Sequence, residues 1–151
     1  LACAAQQLGV ADQLITMASG YAEQRHQFGK PIGSFQAIKH MLANLKVKLE
    51  YARPVVHRAA HSVARAVSGR AAHVSMAKLA ASEAATSAAK TSLQVYGAIG
   101  YTWEDDLHIW MRRAWSLELA WGGSAFHRGR VADAVLADDA RLGAGATFAA
   151  E

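Results

Sequence analysis

Seven histidines, a run of three acidic residues and a serine behind two glycines are the side chains with the widest chemical reach in this 151-residue chain. His57 and His61 stand four apart, so on a helix they share a face and offer two imidazoles to a metal. No third ligand stands near them, and a pair of partly exposed helix histidines is the simpler reading. Glu104, Asp105 and Asp106 read either as an acid/base cluster or as negative charge placed at a helix N-terminus, and the second is preferred because the helix dipole favours it. Ser124 follows Gly122 and Gly123, but there is no G-x-S-x-G frame and no His–Asp pair to partner it. Gly97-Ala98-Ile99-Gly100 opens no βαβ unit, so it is not a Rossmann fingerprint. Trp103, Trp110, Trp115 and Trp121 read as core and interface packing, since each such ring buries ~150–250 Å².

Composition narrows the classes further. Cys3 is the only cysteine, so there is no disulfide framework or cysteine metal cluster, and a reducing, cytoplasmic setting is expected. No apolar run approaches the ~20 residues that span a bilayer. Leu1 opens directly into a helical pattern without a signal peptide, and the missing initiator Met predicts a fragment or excised domain. The net charge of +4 is scattered along helices. With no basic stripe interleaved with stacking aromatics, nucleic acid is not an expected partner. A mild positive excess suits a partner carrying phosphates, such as a dinucleotide or coenzyme A.

The elements that must hold these residues read as helices throughout. Leu1, Leu8, Ile15 and Ala22 repeat every seven residues, as do Ala4, Ala11 and Ala18, giving a first helix from Leu1 to Glu23 with a long buried stripe. It stops near Gly29-Lys30-Pro31-Ile32-Gly33. Ile38, Met41, Leu42, Leu45, Leu49, Ala52 and Val56 trace the apolar face of a second helix from about Ser34 to Val67, with Pro54 expected to kink it. Ser68-Gly69 turns the chain. A third helix from about Ala71 to Tyr96 carries Ala77, Ala81, Ala84, Ala85 and Ala88; small side chains admit close neighbours, so it should be the most buried. Gly97 ends it. A shorter helix presents Trp103, Leu107, Trp110, Met111 and Ala114, with Arg112 and Arg113 near its end. Ser124 is expected to cap a last helix running to about Ala137. No strand alternation or internal repeat is convincing. The fold class is therefore all-α: an up-and-down bundle of four main helices with a short extra helix over residues 1–138, and a tail, 139–151, extended or disordered.

Spacing alone goes no further than this, but three separated stretches resemble the acyl-CoA dehydrogenase family. Arg25-His26-Gln27-Phe28-Gly29-Lys30-Pro31-Ile32, followed by Phe35-Gln36, resembles R-x-Q-F-G-x-P-I…F-Q. Gln94-Val95-Tyr96-Gly97-Ala98-Ile99-Gly100-Tyr101, with Glu104 after it, resembles Q-x-x-G-G-x-G-Y…E. Arg112-Arg113-Ala114 leading to Gly122 is similar to the R-D-A segment before the family's E-G-T turn. Order and spacing agree up to about Ala137. Family members also carry an N-terminal helical domain and a central β domain, neither of which is spelled in these residues.

The resemblance implies an all-helical C-terminal domain of an enzyme in fatty-acid or wider lipid metabolism. Such an enzyme removes two hydrogens from an acyl-CoA thioester: a carboxylate takes the α-proton and a hydride leaves the β-carbon for FAD. An electron-transfer flavoprotein or similar acceptor, and a homo- or hetero-oligomer built as a dimer of dimers, are the implied partners. By the same resemblance Arg25 meets the FAD pyrophosphate, Phe28 packs on the adenine and Gln36 gives an amide hydrogen bond. Gln94, Val95, Tyr96, Gly97 and Ala98 form a backbone turn against the FAD of a neighbouring subunit, with Ala98 in place of a glycine. Ser124 contacts the cofactor and Gly122 the substrate.

The departure lies at the base. Counted without a gap from Arg112-Arg113-Ala114, the family's catalytic Glu falls on Trp121, which accepts no proton; Gly123 replaces a Thr and Ala125 a polar residue. Three explanations stay open. The base sits on the first helix, just before Leu1; or the chain is the base-lacking subunit of a mixed complex, as occurs among enzymes acting on bulky, steroid-like CoA esters; or Glu118, one turn earlier, substitutes for it. A reading from another class is a helical scaffold without flavin chemistry, against which stands the retention of Arg25, Phe28 and Gln36.

Overall fold

The computed structural model describes residues 1–140 and Gly143. Five helices follow one another: α1 (Ala2–Gln24), α2 (Gln36–Ala64), α3 (Arg70–Tyr96), α4 (Leu107–Leu119) and α5 (Ser124–Val135). Single 3₁₀ turns, Ile32–Ser34 and Gly97–Tyr101, precede α2 and follow α3. The expected helices are all present, with α2 running on through Pro54 and ending before Val67. The expectation of no strand needs one correction. His26–Gln27 (β1) and Lys30–Pro31 (β2) pair antiparallel, His26 opposite Pro31 and Gln27 opposite Lys30. Two-residue strands carry no periodicity to read. Of the 139–151 tail, residues 141, 142 and 144–151 lie outside the described residues.

The contacts fix the helix directions. Gln7 bonds Ser82, Ser92 donates to the Leu14 carbonyl and the Tyr96 hydroxyl reaches the Met17 carbonyl, so α1 and α3 run parallel. Lys48–Ser87 and Ser62–His73 make α2 antiparallel to α3. Cys3–Leu117 and Gln6–Arg113 make α4 antiparallel to α1. The result is the up-and-down bundle that short connections require.

The alanine stripe explains the packing. Ala4, Ala11 and Ala18 of α1 and Ala77, Ala81, Ala85, Ala88 and Ala89 of α3 are all fully buried. α3 has more buried positions than any other helix, as its small side chains require. Leu14, Leu49 and Leu107 fill the centre. The core half of the tryptophan reading needs correction: Trp103, Trp115 and Trp121 are exposed and Trp110 only half-buried. Trp103 precedes α4 rather than lying on it. Of the four indoles only Trp110 packs against the alanine-rich core.

Candidate functional site

At the end of the bundle where α1 and α3 finish, the chain turns outward twice. The α1–α2 turn is a two-residue hairpin loop with Phe28 at φ 53° and Gly29 at φ 80°. Two positive φ angles in succession are what a type I′ hairpin needs. Glycine meets this freely, whereas phenylalanine is strained there. The Phe28 ring is 91% exposed at the tip of this loop. Phe35 supports it edge-on at 6.2 Å, and the Lys30 ammonium sits 4.5 Å over the Phe35 ring. Arg25 is exposed and makes no ion pair among the described residues. Gln36 is exposed in the first turn of α2, where backbone N–H groups lack intrahelical acceptors.

The second turn follows α3. Gln94 is exposed, while the Val95 and Tyr96 side chains are buried and offer only backbone outward. The Tyr96 ring stacks on Tyr21 at 4.2 Å, and this pins the two turns to one end of the molecule. Its hydroxyl lies 3.5 Å from the Asp105 carboxylate. Burial, with Asp105 beside it, pushes the phenol pKa up to about 12. Gly97 has φ 65° and no atom within 4 Å of where a Cβ would stand, so its backbone faces open space. Ala98 is exposed without a positive φ, so alanine fits the chain's own conformation there.

The α4–α5 turn stands at the other end, roughly 27 Å away along the helical path from Tyr96 to Lys78 at 1.5 Å per residue. Trp121 has φ 60° and Gly122 φ 99°, and the indole is 88% exposed. Glu118 turns its carboxylate onto the start of α5, where Oε1 accepts from the Ser124 backbone N–H and from the Ser124 hydroxyl, both at 3.0 Å. The Ser124 amide, more than anything else, holds this carboxyl below the usual range, with the hydroxyl and the Lys78 charge helping against desolvation. The expectation that Ser124 caps the last helix is thus reversed. Gly123 is the N-cap residue, no side chain caps from that position, and Glu118 caps from the preceding helix. Asp105 does the equivalent for α4, accepting from the Leu107 N–H at 2.9 Å.

Lys78, Ser82 and Gln7 form a buried polar group beneath this turn. Gln7 and Ser82 exchange hydrogen bonds at 2.9 and 3.1 Å, and the Lys78 ammonium donates to Ser82 at 3.2 Å. These residues drew no attention in the sequence. The signal was there: Ser75, Lys78, Ser82, Ala85, Ala89 and Ser92 fall at alternating spacings of three and four on α3, and all are buried. A charged residue inside such a stripe must be paired or hydrogen-bonded.

The expected site residues therefore fall into two groups. Arg25, Phe28, Gln36 and Gln94 through Ala98 share one end; Glu118, Trp121, Gly122 and Ser124 share the other. His57 and His61 are exposed on α2. Among the described residues no three His, Cys, Asp or Glu side chains converge to hold a metal, and no helix is long and apolar enough to cross a membrane.

The acyl-CoA dehydrogenase C-terminal domain family matches residues 1–136. The chain is 43% identical over 111 residues to acyl-CoA dehydrogenase IpdE2 of Mycobacterium tuberculosis (strain ATCC 25618 / H37Rv), covering 74% of this chain and 33% of that protein. Butyryl-CoA dehydrogenase from Megasphaera elsdenii superposes with a TM-score of 0.84 at 32% identity, over 89% of this chain and 35% of that one. The ChsE4–ChsE5 complex from Mycobacterium tuberculosis gives 0.83 at 32% identity, over 88% and 36%. The chain thus spans about a third of the length of these relatives. Members of the family bind FAD. The family match, the bundle and the two outward-facing ends agree: this chain belongs to the acyl-CoA dehydrogenase family, as its C-terminal helical domain.

Proposed function

We propose that this domain belongs to a subunit that helps hold FAD for acyl-CoA α,β-dehydrogenation but lacks a catalytic base of its own, and that a partner subunit completes the site. Trp121 carries this reading. It stands where the family's glutamate is expected, projects into solvent and holds no proton-accepting atom. Glu118 is a poor substitute. Its carboxylate is engaged by the start of α5, and a lowered pKa weakens it as a base.

The residues at the opposite end suit a flavin dinucleotide. Arg25 offers a guanidinium without a carboxylate partner among the described residues, which fits a pyrophosphate. Phe28 offers an open ring face for the adenine, Gln36 an amide, and Gly97 a backbone that a ligand can approach closely. When bound, the flavin supplies the hydride acceptor. Because the two groups of site residues lie at opposite ends, each bundle serves two separate places, which supports a dimer of dimers, homo- or heteromeric. Similarity to the ChsE4–ChsE5 complex favours the heteromeric form. Electron-transfer flavoprotein or a similar acceptor would take the electrons, and similarity to the Tcur3481–Tcur3483 steroid ACAD, at 27% identity and a TM-score of 0.84, supports a bulky, steroid-like CoA ester as the substrate class.

The test is flavin retention. Arg25→Ala in the full-length assembled protein should weaken FAD binding by about tenfold or more, the worth of a charge-assisted bond. Flavin content after gel filtration equal to that of the unaltered protein would overturn the assignment, and a colourless protein without FAD affinity would favour a helical scaffold.

A further inference from the structure

The α4–α5 turn is held by a buried cation. Lys78 is only 3% exposed and has no carboxylate among its hydrogen-bond partners. Its ammonium donates to the Glu118 carbonyl at 2.9 Å, to the Ser82 hydroxyl at 3.2 Å and to the Gly122 carbonyl at 3.3 Å. An ammonium has three N–H donors and no acceptor. Here three acceptors meet it, so only the charged form satisfies them all.

The place is also right for a positive charge. Glu118 is the penultimate residue of α4, so its carbonyl lies at the negative end of that helix. The last carbonyls of a helix lack intrahelical donors. Here the Cys3 thiol donates to the Leu117 carbonyl at 3.4 Å and Lys78 to the next one. Beyond them the chain takes two successive left-handed residues, Trp121 and Gly122. The Trp121 carbonyl accepts from His127 Nε2–H at 3.1 Å, and the Gly122 carbonyl accepts from Lys78. Both ends of the strained pair are thereby tied to the bundle while the indole stays outside.

We propose that Lys78 is the positioning residue of the Trp121 turn: its ammonium bridges the end of α4 to Gly122 and fixes where the residue at the family's base position points. The role rests on the functional reading only for its consequence at the flavin site; the contacts themselves are local. Cys3 from α1, Glu118 from α4 and His127 from α5 are the titratable groups facing this ammonium. Burial lowers the Lys78 pKa from its ordinary 10.5, against the pull of Cys3 and Glu118. A neutral amine has two donors for three acceptors, so deprotonation should loosen the turn.

Two readouts on the full-length protein test this without turnover. With 5-fluorotryptophan incorporated and the Trp121 signal assigned through Trp121→Phe, the Trp121 fluorine resonance should shift in an alkaline transition below pH 10.5, apart from the acid-side titrations of His127 and Glu118. The transition should persist in Cys3→Ser and vanish in Lys78→Met. In Lys78→Met, amide exchange across residues 120–126 should also rise about tenfold, the equivalent of one lost hydrogen bond, while exchange in the middle of α1 stays unchanged. An alkaline transition that survives Lys78→Met, or turn exchange that does not rise, overturns the role. If Lys78→Met fails to fold, the unaltered protein decides: no alkaline Trp121 transition below pH 10.5 also overturns it. A protein that binds no flavin but shows the transition keeps this inference and loses the functional one.

Discussion

Trp121 carries backbone strain at the position where the proposed function expects the base. A non-glycine residue in the left-handed region costs roughly 1–2 kcal/mol, and this one is almost fully exposed, so little buried apolar area offsets the cost. Trp121→Gly should therefore raise stability by about 1 kcal/mol, read as a higher urea midpoint at unchanged slope. A fall in midpoint would mean that the indole packs on something in the assembled protein. Trp121→Glu tests the other side of the same position. It restores a carboxylate, but Gly123 and Ala125 still lack the family's polar groups. We expect no acyl-CoA dehydrogenase activity from that single change; robust turnover would show that only the base was missing.

Among the five α-helices, α5 is the one held least by apolar burial. His127 is its only buried residue. Its start depends on the Glu118 carboxylate, so Glu118→Ala should cost about 0.5–2 kcal/mol, the usual worth of an N-terminal cap. The sign with pH follows from the lowered pKa. Glu118 stabilises the fold above its unfolded value of 4.5, and that contribution is lost as pH falls through the folded value. The difference between Glu118→Ala and the unaltered protein, followed by urea unfolding, should shrink in that acid window. Two histidines act in the same direction from a higher pH. His73 sits between the Arg58 guanidinium at 3.2 Å and the Ser62 hydroxyl at 2.8 Å. His127 has Nδ1 buried without a partner among the described residues. Burial lowers both below 6.5, so the unfolded chain takes their protons first and stability declines as pH falls below that value. A midpoint that stays flat from pH 7 to pH 5 would contradict this.

At the scale of the whole molecule, the unusual feature is what lies outside. Phe28, Trp103, Leu119 and Trp121 are each more than 70% exposed. The first sits at one end of the bundle and the last two at the other, and single-chain folding explains none of them. Exposed aromatic residues grouped around a site mark surfaces that meet a ligand or another chain. Oxidative footprinting of the assembled full-length protein should therefore label Trp121 and Phe28 less than the dissociated subunits do; equal labelling in both states would argue that these ends face water in the working protein.

The sequence determined the helices, because alanine-rich seven-residue repeats and Gly-Pro junctions are local signals. It also determined the family, because three motifs recur in order, and the proposal that Trp121 stands at the base position rests on counting along it. Tertiary structure decided the rest. That Arg25 and Gln94 share an end follows from the parallel course of α1 and α3 and the Tyr21–Tyr96 stack. That Glu118 caps α5 follows from how α4 and α5 meet. The outward tryptophans and the buried Lys78 escaped local reading for one physical reason: a side chain's burial is set by the helices packed around it, and residues distant in sequence supply those neighbours.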